Sequence, residues 1–203
     1  MKKRYLIVLI CFLVACQKGI EPFDDNSDSD QNGTDITGTW NFVSLEAHTQ
    51  STVEYEQDDT DYKATTLSDY TTINNTGTIT FDSSDLSSAG VGYDISSTLN
   101  VYNYKNNILT DSAQLPFNYS IDSSSSTGTY KIIGTDSIYF PQGGFVSYNG
   151  ISQQSMASGG KFSINGNTLT ITQQFVKDTT EVYGDIANYV TESGTVVVQL
   201  QKK

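Results

Sequence analysis

The sequence predicts an all-β domain, an antiparallel up-and-down meander that closes into a barrel of about eight to ten strands. Three observations carry that prediction. Apolar and polar residues alternate in segment after segment from Gly38 to the C-terminus. The chain has 13 Tyr and 9 Phe within a modest 36% hydrophobic content, and Ser, Thr, Asn, Asp and Gly fill much of the rest. That mixture favours many strands joined by turns over helices. Finally, no long stretch after the first fifteen residues carries a helical period.

The chain begins with "MKKRYLIVLICFLVAC". Lys2, Lys3 and Arg4 form a positive start, and Tyr5 to Ala15 is an apolar run. The run is well short of the roughly 20 residues a spanning helix needs, and it reads as a signal peptide over residues 1–15. Leu13-Val14-Ala15-Cys16 resembles a bacterial lipobox, which makes Cys16 the expected lipidation site and new N-terminus. The only other cysteine, Cys11, falls within the removed segment, so the mature domain is expected to lack thiols and disulfides. Lipid chains on Cys16 would anchor the protein to the membrane without spanning it.

Residues 16–35 are polar and acidic and read as an extended, disordered tether. Within it, Asp28, Asp30, Asn32 and Gly33 match the first half of a calcium loop, but the twelfth position is Thr39 where a Glu is required. A solvated linker is the better reading.

Residues 36–203 form the expected barrel domain. "TGTITF" (76–81) alternates through Ile79 and Phe81, and "YDISSTLNVYNY" (93–104) carries Ile95, Leu99 and Val101. "LPFNYSI" (115–121) sets Phe117, Tyr119 and Ile121 on one face, and "GTVVVQLQ" (194–201) does the same for Val196, Val198 and Leu200. Two hairpins, residues 128–140 and 160–171, share a plan that equates Tyr130 with Phe162, Ile132 with Ile164, Ile138 with Leu169 and Phe140 with Ile171. Gly134-Thr135-Asp136 and Asn165-Gly166-Asn167 supply their positive-φ turns. "GDIANYV" (184–190) reads as one short helical turn. Residues 49–75 are longer and more acidic than a simple turn, and either lengthen the first strands or form a lid. Glu54, Glu56, Asp58, Asp59 and Asp61 within them are candidates to gather a cation, with a solvated loop as the commoner outcome.

"GTW", residues 38–40, opens the first strand after a lipobox and a tether. It resembles the Gly-x-Trp of lipocalins, and "GTWNFVS" is similar to the start of lipocalin-like (calycin-type) domain lipoproteins of Bacteroidetes. The resemblance implies a lipocalin-like barrel in which Trp40 plugs the closed end and a basic residue from the last strand packs over the ring, with Lys202 as the candidate and Lys203 as its rival. Glu21, Asp24 and Asp25, soon after the lipidated cysteine, resemble the surface-export signals of Bacteroidetes lipoproteins, so the expected location is the cell envelope at the outer membrane, with periplasmic and outward-facing orientations both open. A residue without a side chain at Gly38 lets the chain cross close to the barrel floor.

The formal charge is −12; without the first fifteen residues 8 basic residues face 23 acidic ones, a net −15. Such a surface repels phosphate backbones, so nucleic acid is not an expected partner. His48 is the sole histidine. A multi-His or Cys-His metal site is therefore out of reach, and neither a nucleophile elbow nor a phosphate loop or dinucleotide fingerprint accompanies it. The expectation is a protein that is not an enzyme and uses no cofactor.

Strict alternation from Trp40 puts Phe42, Ser44, Glu46 and His48 on the inward face and makes Phe42, Glu46 and His48 candidate ligand-binding residues. A bulge in the strand would reverse the assignment beyond it. Two functions follow. In the first, a lipid-anchored envelope protein binds a small apolar or amphipathic ligand inside the barrel. In the second, the barrel is filled and its exterior binds a protein or glycan at the cell surface.

Overall fold

The computed structural model describes residues 35–142, 157–183 and 186–203. The segments read as a signal peptide and a tether, with Cys16, lie outside the described residues up to residue 34. The rest is the expected all-β antiparallel meander: β1 (Gly38–Gln57), β2 (Thr60–Thr71), β3 (Ile73–Phe81), β4 (Asp85–Lys105), β5 (Ile108–Thr129), β6 (Lys131–Ile133), β7 (Ser137–Phe140), β8 (Ser158–Asn165), β9 (Thr168–Tyr183) and β10 (Ile186–Lys202).

Successive strands pair, except that β2 runs on into β3 and β5 into β6, and the last pairs with the first: Trp40 faces Lys202 and Glu54 faces Tyr189 across β1 and β10. On its other side β1 pairs with β3 near the floor, from Gly38 opposite Phe81, and with β2 beyond, from Glu46 opposite Thr71. Thr72 joins the two. Its N–H donates to the Leu45 carbonyl at 2.9 Å, while its hydroxyl accepts from the Leu45 N–H, also at 2.9 Å. β5 pairs with β4, and its continuation β6, across Tyr130, pairs with β7. The sheet thus returns on itself over its lower part only. Tyr130 marks the junction: it is buried, its hydroxyl donates to the Asp82 carbonyl, and its ring meets Phe81 edge-on at 5.2 Å.

Local chemistry sets the turns. Asp58 and Asp59 both adopt positive φ (50° and 55°), as do Asn106 and Asn107 (49° and 62°), so two-residue turns close β1–β2 and β4–β5. Asp and Asn tolerate this left-handed region better than other side-chain-bearing residues. Of the two readings of residues 49–75, the strands are lengthened and no lid forms. Gly134 (φ 64°) and Gly166 (φ 59°) turn the two matched hairpins. Their equivalence holds for Tyr130 and Phe162, Ile138 and Leu169, and Phe140 and Ile171, all buried. It fails at Ile132, which is exposed while Ile164 packs on the core. The short helical turn expected near Ala187 is instead the start of β10, because Ile186 to Val190 pair with β9.

The core fills the lower barrel. Trp40, Phe42, Leu45 and Ala47 of β1 face Ile79 and Phe81, then Ile95, Leu169, Ile171, Val196, Val198 and Leu200, all buried. A bulge lets β1 do this: Phe42 faces Leu200 and Ser44 faces Gln199, so Val43 is extra and is 43% exposed. Phe42 and Leu45, three residues apart, then both point inward.

Candidate binding surface

At the floor, Trp40 donates from Nε1 to the Ile36 carbonyl at 2.9 Å, and the Lys202 ammonium sits 4.4 Å from the indole ring centroid. Lys202 also donates to the Thr37 carbonyl. Gly38 has φ 114°, and a Cβ there would lie 2.7 Å from Lys202 Nζ. Gly38, Trp40 and Lys202 are therefore one packed unit, in which the cation sits over the π-face and the missing Cβ leaves room for it.

The candidate ligand residues do not gather in the interior. Phe42 is buried in the core, against Tyr93 at 5.8 Å. Glu46 and His48 lie on the outer face, with side chains 46% and 54% exposed. The Val43 bulge is the cause, since it shifts every later side chain of β1 to the opposite face. His48 bridges two carboxylates there, Asp69 and Glu46, each at 2.9 Å. The hydrogen bond it donates to Asp69, then that to Glu46, raises its pKa above the usual imidazole value. A raised folded pKa means the contribution to stability is complete below the unfolded pKa, about 6.5, and is lost as pH rises through the folded value. Denaturant midpoints taken from about pH 5 to about pH 9 should fall with rising pH in the parent and fall less in His48→Gln. Equal slopes for the two proteins would count against the bridge.

The acidic residues of the first hairpin do not converge. Glu54 pairs with Lys63 at 3.1 Å, and Asp58 and Asp59 form the turn itself. Among the described residues no group of three or more His, Cys, Asp or Glu is arranged to hold a metal ion.

What the chain displays most prominently is the far end of the barrel. Above the core, β5–β4–β2–β1–β10–β9 continue as a six-stranded sheet, the rim sheet. It comprises roughly the second halves of β1, β4 and β9 and the first halves of β2, β5 and β10. β7 and β8 are only 4 and 8 residues long and do not reach alongside it. Of its described residues beyond Thr49, only Thr52 and Ser68 are buried. Both faces therefore meet solvent.

A sheet without a core behind it relies on cross-strand pairs. Tyr55 stacks on Tyr62 directly opposite, at 5.0 Å and 12°, and Lys105 approaches the same ring at 5.8 Å. Thr191 donates to its partner Asp178, Gln114 to Asn100 and Ser96 to Asn118. Lys177 and Glu192, also opposite each other, lie 3.7 Å apart. Apolar side chains still stand in water, including Val176 (73% exposed), Val182 and Tyr189. Where the rim sheet meets the core, Phe117 and Phe175 are half-buried, and Ser68 Oγ is buried without a hydrogen-bond partner.

No family model matches this chain, and no curated protein or solved structure matches it. Functional inference rests on the geometry above.

The sequence carries a signal for the rim sheet in strand length and composition. Strands of 20 to 22 residues outrun any core of this size, and their outer portions are built of Thr, Ser, Asn and Tyr.

Proposed function

We propose that this chain is a lipid-anchored, non-catalytic binding module of the cell envelope, facing outward from the outer membrane. It engages a macromolecular partner through the rim sheet. The observation that supports this reading is the division of the barrel. The inward positions of the lower part carry large buried side chains, from Trp40 up to Tyr70 and Val196, whereas the rim sheet leaves both faces exposed. Large exposed apolar and aromatic surface on a soluble domain marks interaction sites. The anchor would be Cys16, with the acidic tether holding the domain away from the bilayer.

A second reading, a small amphipathic ligand, is favoured by one observation. The orphaned Ser68 hydroxyl lies where the packed core ends, close to Tyr70 and Leu99. A buried hydroxyl without a partner costs about 1–3 kcal/mol, which a ligand's polar group would recover. Denaturing mass spectrometry of an organic extract of the purified protein separates the two. The rim-sheet reading expects no stoichiometric small molecule, and finding one would transfer the function to the boundary of core and rim sheet near Ser68.

The anchor has its own check. Cys16→Ala should move the protein from the membrane to the soluble fraction, and retention in the membrane would refute lipidation at that residue.

A further inference from the structure

β5 and β9 are the two outer strands of the rim sheet, and β5 alone has a partner on only one side along its whole length among the described residues. From Ile108 to Thr129 its register partners all lie on β4, and among the described residues nothing pairs along its other side. The turn geometry says which groups point that way. Asn106 and Asn107 make a two-residue turn, so Lys105 and Ile108 form a hydrogen-bonded pair. Bonded and non-bonded pairs alternate along an antiparallel ladder. Tyr102, Asn100, Thr98 and Ser96 therefore stand in non-bonded pairs with Ser112, Gln114, Pro116 and Asn118. The backbone N–H groups of Ser112, Gln114 and Asn118 point away from β4. Pro116, which has no N–H to give, occupies the same row, as a proline in an edge strand should.

Natural edges are guarded by charges, above all Lys. The exposed edge of β9 has Lys177, Asp178 and Glu181 within a short span. β5 has only Asp111 and Asp122 over its 22 residues and no basic group. Beside its edge stand Leu115 and Tyr119, 48% and 44% exposed. A row of donors and acceptors interrupted only at Pro116 and flanked by apolar side chains is a template for one more strand. Charge selects the occupant. A second copy of a chain carrying −12 is repelled, whereas a basic segment is attracted.

We propose that the outer edge of β5 accepts an extended, basic polypeptide segment of another protein as a seventh strand of the rim sheet. This deepens the reading of the rim sheet as the binding surface and rests on it.

The test uses the full chain in detergent and a blocked ten-residue synthetic peptide of alternating Lys and Val. Binding should slow amide exchange at Ser112, Gln114 and Asn118. Ser112→Pro/Gln114→Pro removes two outward donors and no backbone bond to β4, with loss of the side-chain bond from Gln114 to Asn100, and should weaken binding about tenfold or more. The same peptide N-methylated at every second amide keeps its charge and should fail to bind, a readout that does not depend on how the variant folds. Equal affinity of the methylated peptide would overturn the proposal, as would no binding at about 1 mM. Concentration-dependent protection of β5 without peptide would assign the edge to a second copy, which also overturns it. Protection on β1 or β10 but not β5 would refute strand addition and leave the rim-sheet reading standing.

Discussion

Trp40→Ala is expected to destabilise the domain by about 3–5 kcal/mol, the range for emptying a buried large aromatic site. Trp40 is among the largest fully buried side chains. Its removal vacates the floor, leaves the Ile36 carbonyl without its donor and strips Lys202 of the ring beneath its ammonium. Lys202→Ala loses only the cation over the ring and its bond to Thr37, and should cost about 0.5–1 kcal/mol. Denaturant unfolding should be followed by far-UV circular dichroism, because the sole tryptophan reporter is the residue removed. If the two substitutions cost the same, Trp40 does not carry the floor.

Gly77→Ala should cost a comparable amount, about 3–5 kcal/mol, by a different route. Gly77 has φ 95°, a conformation side-chain-bearing residues rarely adopt, and a Cβ there would lie 2.5 Å from the backbone of Gly90 and Val91. β3 and β4 approach closely here: the register slips on either side of Thr76, whose hydroxyl donates to the carbonyls of Gly90 and Gly92. Backbone atoms of a paired strand cannot swing aside. Gly38 makes the useful contrast. Its φ is also positive, but the atom a Cβ would strike is the flexible tip of Lys202. Gly38→Ala should therefore be the milder change by thermal or denaturant midpoint, and a reversed order would refute this account.

Much of the fold was legible because it depends on local pattern. Alternation marked Ile79, Phe81, Val196, Val198 and Leu200 as inward, and all five are buried. Gly134 and Gly166 announced their turns through the one property glycine has in excess, access to positive φ. Asp58-Asp59 and Asn106-Asn107 make tight turns of the same kind. A two-residue polar turn between long polar strands resembles part of a loop when read without its partner strand, so neither of these stands out in the sequence.

The candidate interior residues fared differently. Glu46 and His48 were assigned by counting from Trp40, and counting fails at a single inserted residue. Val43 is that residue, and nothing in its own chemistry marks it as a bulge. It is extruded because Phe42 fits against Leu200 while Leu45 fits among the core residues, a choice made jointly by β1 and β10.

The sequence by itself determined the strand-rich class, the meander order, the apolar stripe of the lower barrel, and the glycine and tryptophan that open the first strand. These follow from side-chain period, turn conformation and volume, which act over a few residues. Only the tertiary structure decided which face of β1 turns inward beyond Val43, how far the core extends up the barrel, and that β5 presents an edge. Each depends on which distant strand lies alongside and where that strand ends. Two short strands, β7 and β8, leave the six long ones standing clear of the core, and it is their shortness, measured against neighbours far away in the chain, that creates the exposed rim sheet.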